Sequence, residues 1–417
     1  MTSNRMLRIA FAAALGHATL AAADDDWMSR FSFSGYGTLG VVRSSERNAD
    51  YLVDQFKPTG PGFTHEWSPD VDSRLAGQMT LKVSQSLTGV VQVIVQQRYD
   101  DTYKPEVEWA NLKYDITPDL SVRAGRTVLP VFMVTDSRKV GYANPWVRPP
   151  VEVYGLVPLT HSDGIDGSFR WPIGAFNNTF QATYGRADIK FPLPVSGGVG
   201  DAKVRDILAL VDTLEHGFLT LRLNYGQAKL TIDAFDPLFN AFRQFGPAGA
   251  SIADRFELKD RRAEFVGAGV GYDPGAWFAI AEWAQFDTHS VVGKRSAWYV
   301  SGGARLGALT PYATYSRVKV DSATSDPGLP LAGLPPQLAQ TVAILNGALN
   351  AQLSFVPAQT TWSAGVRWDA WRSVALKAQY DHVRRDQGTN GTFGNIQPGF
   401  QPGGSANIFS VAADFVF

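Results

Sequence analysis

The sequence predicts an all-β fold, a transmembrane antiparallel β-barrel of about 16 strands, and three observations carry that prediction. The first is a two-residue rhythm. In the last stretch, Asn407 to Phe417, the residues Phe409, Val411, Ala413, Phe415 and Phe417 are apolar, while Ser410, Ala412 and Asp414 between them are small or charged. About ten residues at roughly 3.3 Å each, tilted by about 40°, rise some 25 Å, the height of a membrane barrel's apolar band. The second observation is that this rhythm returns along the chain, with connections that alternate between long and short. The third is composition. Charged residues make up 18% and aromatics 12%, with 40 glycines, and the mean hydropathy is −0.11. A barrel has that profile because only alternate residues need be apolar, whereas a helical membrane protein needs long apolar runs.

The amino terminus reads as an export address. Arg5 and Arg8 precede the apolar run Ile9 to Leu20, followed by Ala21-Ala22-Ala23 and Asp24-Asp25-Asp26. This order of basic region, short apolar core and small-residue site is that of a signal peptide cleaved after Ala23. The expected domains are therefore 1–23, the signal peptide, and 24–417, a single barrel. The apolar run, interrupted by His17, is too short to span a bilayer as a helix. Cysteine is absent, which excludes disulfides, cysteine-based zinc sites and thiol nucleophiles. A formal charge of −1 argues against nucleic acid as the main partner. No cofactor or metal is called for.

In chain order, the first strand runs from about Arg30 to Arg43, with Phe31, Phe33, Leu39 and Val41 on one face. It contains Gly35-Tyr36-Gly37-Thr38-Leu39-Gly40, a literal G-x-G-x-x-G, but no βαβ unit surrounds it, so glycine in a crowded strand is the better account. After a polar stretch to Asp72, Leu75, Gly77, Met79, Leu81 and Val83 form one strand and Val91, Val93 and Val95 its hairpin partner. Ala110, Leu112 and Tyr114 turn into Val122 and Ala124. A long loop from Leu129 to Asp163 follows, and then a strand with Ile165, Gly167 and Phe169 returns through Phe180, Ala182 and Tyr184. Arg186 to Arg205 reads as a loop. Further strands carry Leu208 and Leu210; Leu219, Leu221, Leu223 and Tyr225; Phe265, Gly267 and Gly269; Trp277 to Trp283; Trp298 and Val300; and Tyr312 and Thr314. Gln337 to Leu353 has helical spacing and is expected as a short helix in the seventh external loop. Two strands carrying Trp362 to Trp368 and Val374 to Tyr380 lead to the terminal strand.

The residues opposite the greasy face are polar and mostly basic. Arg74, Lys82, Arg98, Lys113, Arg123, Arg170, Arg222, Arg317, Arg367 and Lys377 are expected to line a pore, with fewer acids, chiefly Asp166, Glu264, Glu282, Asp369 and Asp381. Charges facing lipid at midplane would cost roughly 2 to 4 kcal/mol each, which sends them to the water side.

A terminal Phe417, about sixteen strands, a polar interior and a long third loop together resemble the general diffusion porins of Gram-negative bacteria. That resemblance implies an outer-membrane channel for small hydrophilic solutes, a homotrimer in lipid and lipopolysaccharide, and a third loop folded into the lumen as the constriction. On this chain the loop would offer Asp136, Arg138, Lys139, Tyr142, Arg148 and Glu152. It lacks the acidic Pro-Glu-Phe-Gly-Gly-Asp signature of well-known porins, so selectivity is read from the basic excess, which favours anions. A stricter version is a channel selective for small organic anions, with Arg123, Arg138 and Arg148 as a binding ladder. A structural or adhesive barrel is the remaining alternative. Catalysis is disfavoured, because none of the histidines sits in a G-x-S-x-G or H-E-x-x-H context.

Overall fold

The computed structural model describes residues 27–193 and 198–417, so the expected signal peptide lies outside the described residues. Sixteen long strands close into one barrel: β1 (Phe31–Ser44), β2 (Arg74–Lys82), β3 (Leu87–Gln96), β4 (Glu106–Asp115), β5 (Leu120–Val128), β6 (His161–Ile173), β7 (Phe176–Leu193), β8 (Gly198–His216), β9 (Leu219–Ile232), β10 (Arg261–Tyr272), β11 (Trp277–Asp287), β12 (Lys294–Ala304), β13 (Leu309–Val320), β14 (Gln359–Trp371), β15 (Val374–Arg385) and β16 (Ser405–Val416). Each pairs antiparallel with its neighbours, and β1 pairs with both β2 and β16, which removes every free edge. One end carries tight turns. The other carries the external loops L1 (45–73), L2 (97–105), L3 (129–160), L5 (233–260), L6 (288–293), L7 (321–358) and L8 (386–404).

The terminal strand behaves as its rhythm predicts. Phe409, Val411 and Phe417 are exposed on the outer face, whereas Ser410, Ala412 and Asp414 are buried inside. Barrel closure also explains the glycines of β1. A Cβ on Gly35 would lie 2.3 Å from the Phe417 ring, and one on Gly37 would lie 2.3 Å from the Phe415 ring. The two rings therefore lie over bare backbone, and Gly35 and Phe417 exchange backbone hydrogen bonds of 2.8 and 3.0 Å. The G-x-G is a seat for the C-terminal aromatics.

Two expectations fail for the same reason, a reversal of polarity. Arg186 to Arg205 is not a loop but the upper half of the β7–β8 hairpin, whose strands run 18 and 19 residues, roughly 60 Å when extended. Above the bilayer the outer face is wet, so Asp188 pairs with Arg205 at 2.5 Å and Lys190 with Asp201 at 3.1 Å. The inner face carries Ala187, Ile189, Phe191, Ala202 and Ile207 instead. Likewise, Phe265 of β10 and Tyr312 of β13 point inward and are buried. Reading them as lipid-facing shifts both strands by one residue and turns every neighbour over.

The α-helices among the described residues belong to loops: α1 (Val151–Tyr154) in L3, α2 (Asp236–Arg243) and α3 (Gly246–Phe256) in L5, and α4 (Pro336–Ser354) in L7, where a helix was expected. L5 and L7 pack on each other through Phe239, Phe242, Phe256, Val342 and Leu349, forming an apolar cap at the external end. L1 and L8 pair through Asp50–Tyr51 and Phe393–Gly394.

Candidate functional site

L3 is the element that shapes the interior. Pro130, Pro145, Pro149, Pro150 and Pro158 deny it a long helix or strand. It advances in single turns, Thr135–Ser137, Gly141–Ala143 and α1. It runs inside the barrel against the wall formed by β10–β16 and β1, and an apolar core joins them: Phe132, Trp146, Val153 and Tyr154 pack on Phe265, Tyr299 and Tyr312. These aromatics face inward because L3, not water, covers them.

Polar contacts fix the loop at each step. The Met133 N–H donates to Glu282 at 2.9 Å and the Tyr154 hydroxyl to the same carboxylate at 3.1 Å. The Trp146 indole donates to Ser301 at 2.8 Å, and the Val147 N–H to Gln379 at 3.1 Å. Glu152 accepts from Ser316 and Gln359, both at 2.7 Å, and from Thr361. Arg148 reaches Asp72 at 2.6 Å, Ser410 at 2.7 Å and Asp381 at 3.3 Å. Lys377 donates to the carbonyls of Gly141, Asn144 and Trp146 at 2.7, 2.7 and 2.8 Å. Its charge is answered by Asp414 at 2.7 Å, which also accepts from Thr38 at 2.5 Å. L3 passes so close here that a Cβ on Gly141 would meet Asp414 at 2.1 Å.

The expected pore residues therefore divide into three groups. Lys377, Arg367, Arg148 and Glu152 face inward but serve the loop. Arg367 donates to the Tyr142 and Asn144 carbonyls at 2.5 and 3.1 Å, and its guanidinium lies 4.8 Å from the Tyr142 ring. Arg138 is likewise spent within L3, donating to Tyr154 and Val157 carbonyls at 2.6 and 3.2 Å. Lys139 pairs with Glu108 of β4 at 2.7 Å. Arg222 touches L3 through the Pro130 carbonyl at 3.3 Å, and Asp136 is exposed.

The second group sits on the β2–β6 arc, which L3 touches through Val140 against Ala76 and Ile94 and through Lys139 on Glu108 but otherwise leaves open. Arg74, Lys82, Lys113, Arg123 and Arg170 alternate there with lipid-facing residues. Arg123 pairs with Asp166 at 2.6 Å and Lys113 with Asp115 at 2.8 Å. Arg98 stands above them in L2, paired with Glu106 at 2.7 Å.

The third group is a correction. Arg317 and Glu264 lie on the outer face, because β13 and β10 are turned over as described above. Arg317 meets Asp386 at 3.3 Å and Glu264 meets Arg262 at 2.6 Å.

Two cavities open on the external side. One, of about 540 Å³, lies among L1, L2, L3 and the upper ends of β2–β5 and is rich in charge, including Lys57, Arg74, Arg98, Glu106, Arg126 and Lys139. The other, of about 900 Å³, lies under the L5–L7 cap and is largely apolar. The sequence reading missed this second chamber, because its walls come from the reversed stretch of β7–β8 and from loop residues. The signal was present in the alternation Ala187, Ile189, Phe191.

The sequence profile of the Gram-negative porin family matches residues 217–415. Among solved structures, the anion-selective porin of Comamonas acidovorans is similar at a TM-score of 0.52 and 13% identity, over 93% of this chain and 99% of that one. Salmonella typhi OmpF, in its complex with daunomycin, gives 0.53 at 14% identity, over 93% and 97%. The trimer form of Vibrio cholerae OmpT gives 0.51 at 14% identity, over 93% and 99%. No curated protein matches the chain. At these identities the structural likeness speaks for the barrel alone.

Proposed function

We propose that the chain is a Gram-negative porin, an outer-membrane barrel that conducts small hydrophilic solutes passively with a preference for anions, a reading supported by the porin profile over residues 217–415. The observation that carries the preference is the uneven interior. L3 and its wall neutralise their own charges, while Arg74, Lys82, Lys113, Arg123 and Arg170 remain on the more open arc, where Arg123 is paired with Asp166 and Lys113 with Asp115, leaving an excess of cations. A wall of one sign lined by low-dielectric protein raises the local concentration of the opposite ion. The stricter ladder of Arg123, Arg138 and Arg148 is not favoured, since Arg138 and Arg148 are saturated by protein oxygens. We also propose export by the 1–23 signal peptide, a trimer in a bilayer with lipopolysaccharide, as the Vibrio cholerae neighbour's trimer form suggests, and no catalytic or nucleic-acid role. Purified protein in planar bilayers under a salt gradient tests the channel. The expected reversal potential has the sign of anion flow; a cation-preferring potential would overturn the selectivity.

A further inference from the structure

The apolar chamber contains one group that the solute-channel reading does not use. Arg295, the second residue of β12, points inward and is only 3% exposed. Its Nε has no hydrogen-bond partner. Among the described residues no carboxylate or carbonyl accepts from its guanidinium, which lies 5.7 Å from the centre of the Phe286 ring. Every other buried cation of the interior discussed above is met by oxygens: Arg148 by Asp72, Lys377 by Asp414. A buried charge without an anion is costly, so a site that keeps one is built for an anion that arrives from outside.

The surroundings define what that anion carries. The chamber of about 900 Å³ is walled by Phe191, Phe235, Phe265, Phe286, Val292 and Phe355. This size suits a small organic molecule, and an apolar lining with a few fixed polar groups is the usual composition of a ligand pocket; charged side chains such as Lys57, Asp54 and Glu152 also border this one, and Arg295 is the buried cation among them that lacks an oxygen partner. An inorganic anion would leave the apolar walls uncovered, and a neutral apolar molecule would leave Arg295 unmet.

We propose that this chamber binds a monocarboxylate with an apolar body, its carboxylate held by the Arg295 fork and its chain or ring against the phenylalanines. The binding site stands on the external side, before L3, so it concentrates such solutes at the mouth. This extends the anion-channel reading and rests on it for transport, though not for binding.

The test uses the full protein in lipid nanodiscs and planar bilayers, with 4-phenylbutyrate as probe and acetate and 4-phenyl-1-butanol as controls. Titration calorimetry is expected to show saturable binding of 4-phenylbutyrate. At the same concentrations, neither control should bind. External 4-phenylbutyrate should also reduce single-channel current. Arg295→Met, which keeps the apolar stem, should weaken binding and block at least tenfold, and Arg295→Lys should recover part of the loss. Heat-modifiable migration on gels confirms that both variants are folded barrels. Equal binding by acetate, or undiminished binding by Arg295→Met, would overturn the assignment. So would a conducting channel with no calorimetric signal. Binding without any conductance would instead strike the channel reading and leave the pocket standing.

Discussion

At the scale of single residues, the interior is governed by whether a buried charge has found its counterpart. Arg148 is held by Asp72 and Asp381 with both carboxylates almost wholly buried. Replacing it with Met strands two anions, and breaking a buried pair in this way costs about 3 to 5 kcal/mol. Arg148→Met is therefore expected to lower the temperature at which the barrel loses its heat-modifiable migration and to add current noise as L3 loosens; an unchanged midpoint with quiet channels would show the pair to be dispensable. Lys57 of L1 is the opposite case. It borders both external cavities and donates to the Gln97 carbonyl at 2.5 Å, and burial pushes its ammonium down to about 8. The ordinary value is 10.5, so the folded state disfavours the charged form, and stability gained by deprotonation accrues as pH rises from about 8 towards 10.5. For conduction the sign is reversed. The mouth loses a positive charge across pH 7 to 9, so anion preference should fall in that window and stay flat in Lys57→Met, as reversal potentials would record.

At the scale of elements, the barrel was legible and the loop that fills it was not. Strand identity, order and the lipid face of β1–β9, β11, β12 and β14–β16 follow from period-two alternation, because one face meets hydrocarbon. Alternation says nothing when both faces carry apolar residues, and that happens where L3 or the external chamber covers the inside. Phe265, Tyr312 and the pair Ile189–Phe191 are the places where the rule inverts, and Arg317 and Glu264 were misplaced with them. For the site, the inward direction of the basic residues on the more open arc could be read from sequence, whereas the use of Arg148, Arg367 and Lys377 as tethers could not. A cation's partner across more than 200 residues leaves no local trace. The closure seam makes its own prediction. Since a side chain at Gly35 or Gly37 would occupy the space of Phe417 or Phe415, Gly35→Val and Gly37→Val should each reduce the yield of heat-modifiable barrel by several-fold. Phe417→Ala combined with Gly35→Val should recover part of it. Full yield from the single valine variants would mean that the rings find other positions without loss.

At the scale of the whole molecule, the question is which side of the interior solutes use. L3 divides the barrel into a wall it covers, β10–β16 with β1, and a basic arc on β2–β6 that it leaves largely open, touching it through Val140 and Lys139. The absence of cysteine from the sequence makes this division directly measurable, since an introduced thiol is then the only one present. Gln78 and Ser168 lie on the inner face of the open arc and are partly exposed, whereas Ser301, Thr314 and Gln379 lie on the inner face beneath L3 and are 1%, 4% and 5% exposed. A thiolate must meet water to react. Gln78→Cys and Ser168→Cys are expected to react within seconds with a charged, membrane-impermeant methanethiosulfonate and to lose conductance as the bulky adduct enters the path. Ser301→Cys, Thr314→Cys and Gln379→Cys should react at least a hundredfold more slowly and conduct as before. Arg148→Met added to Ser301→Cys should raise the rate at the buried position, because the loop that shields it is then less firmly tied. Equal rates on both walls would place L3 away from the β10–β16 side and with it the solute path, and the argument that anions follow the open basic arc would fail.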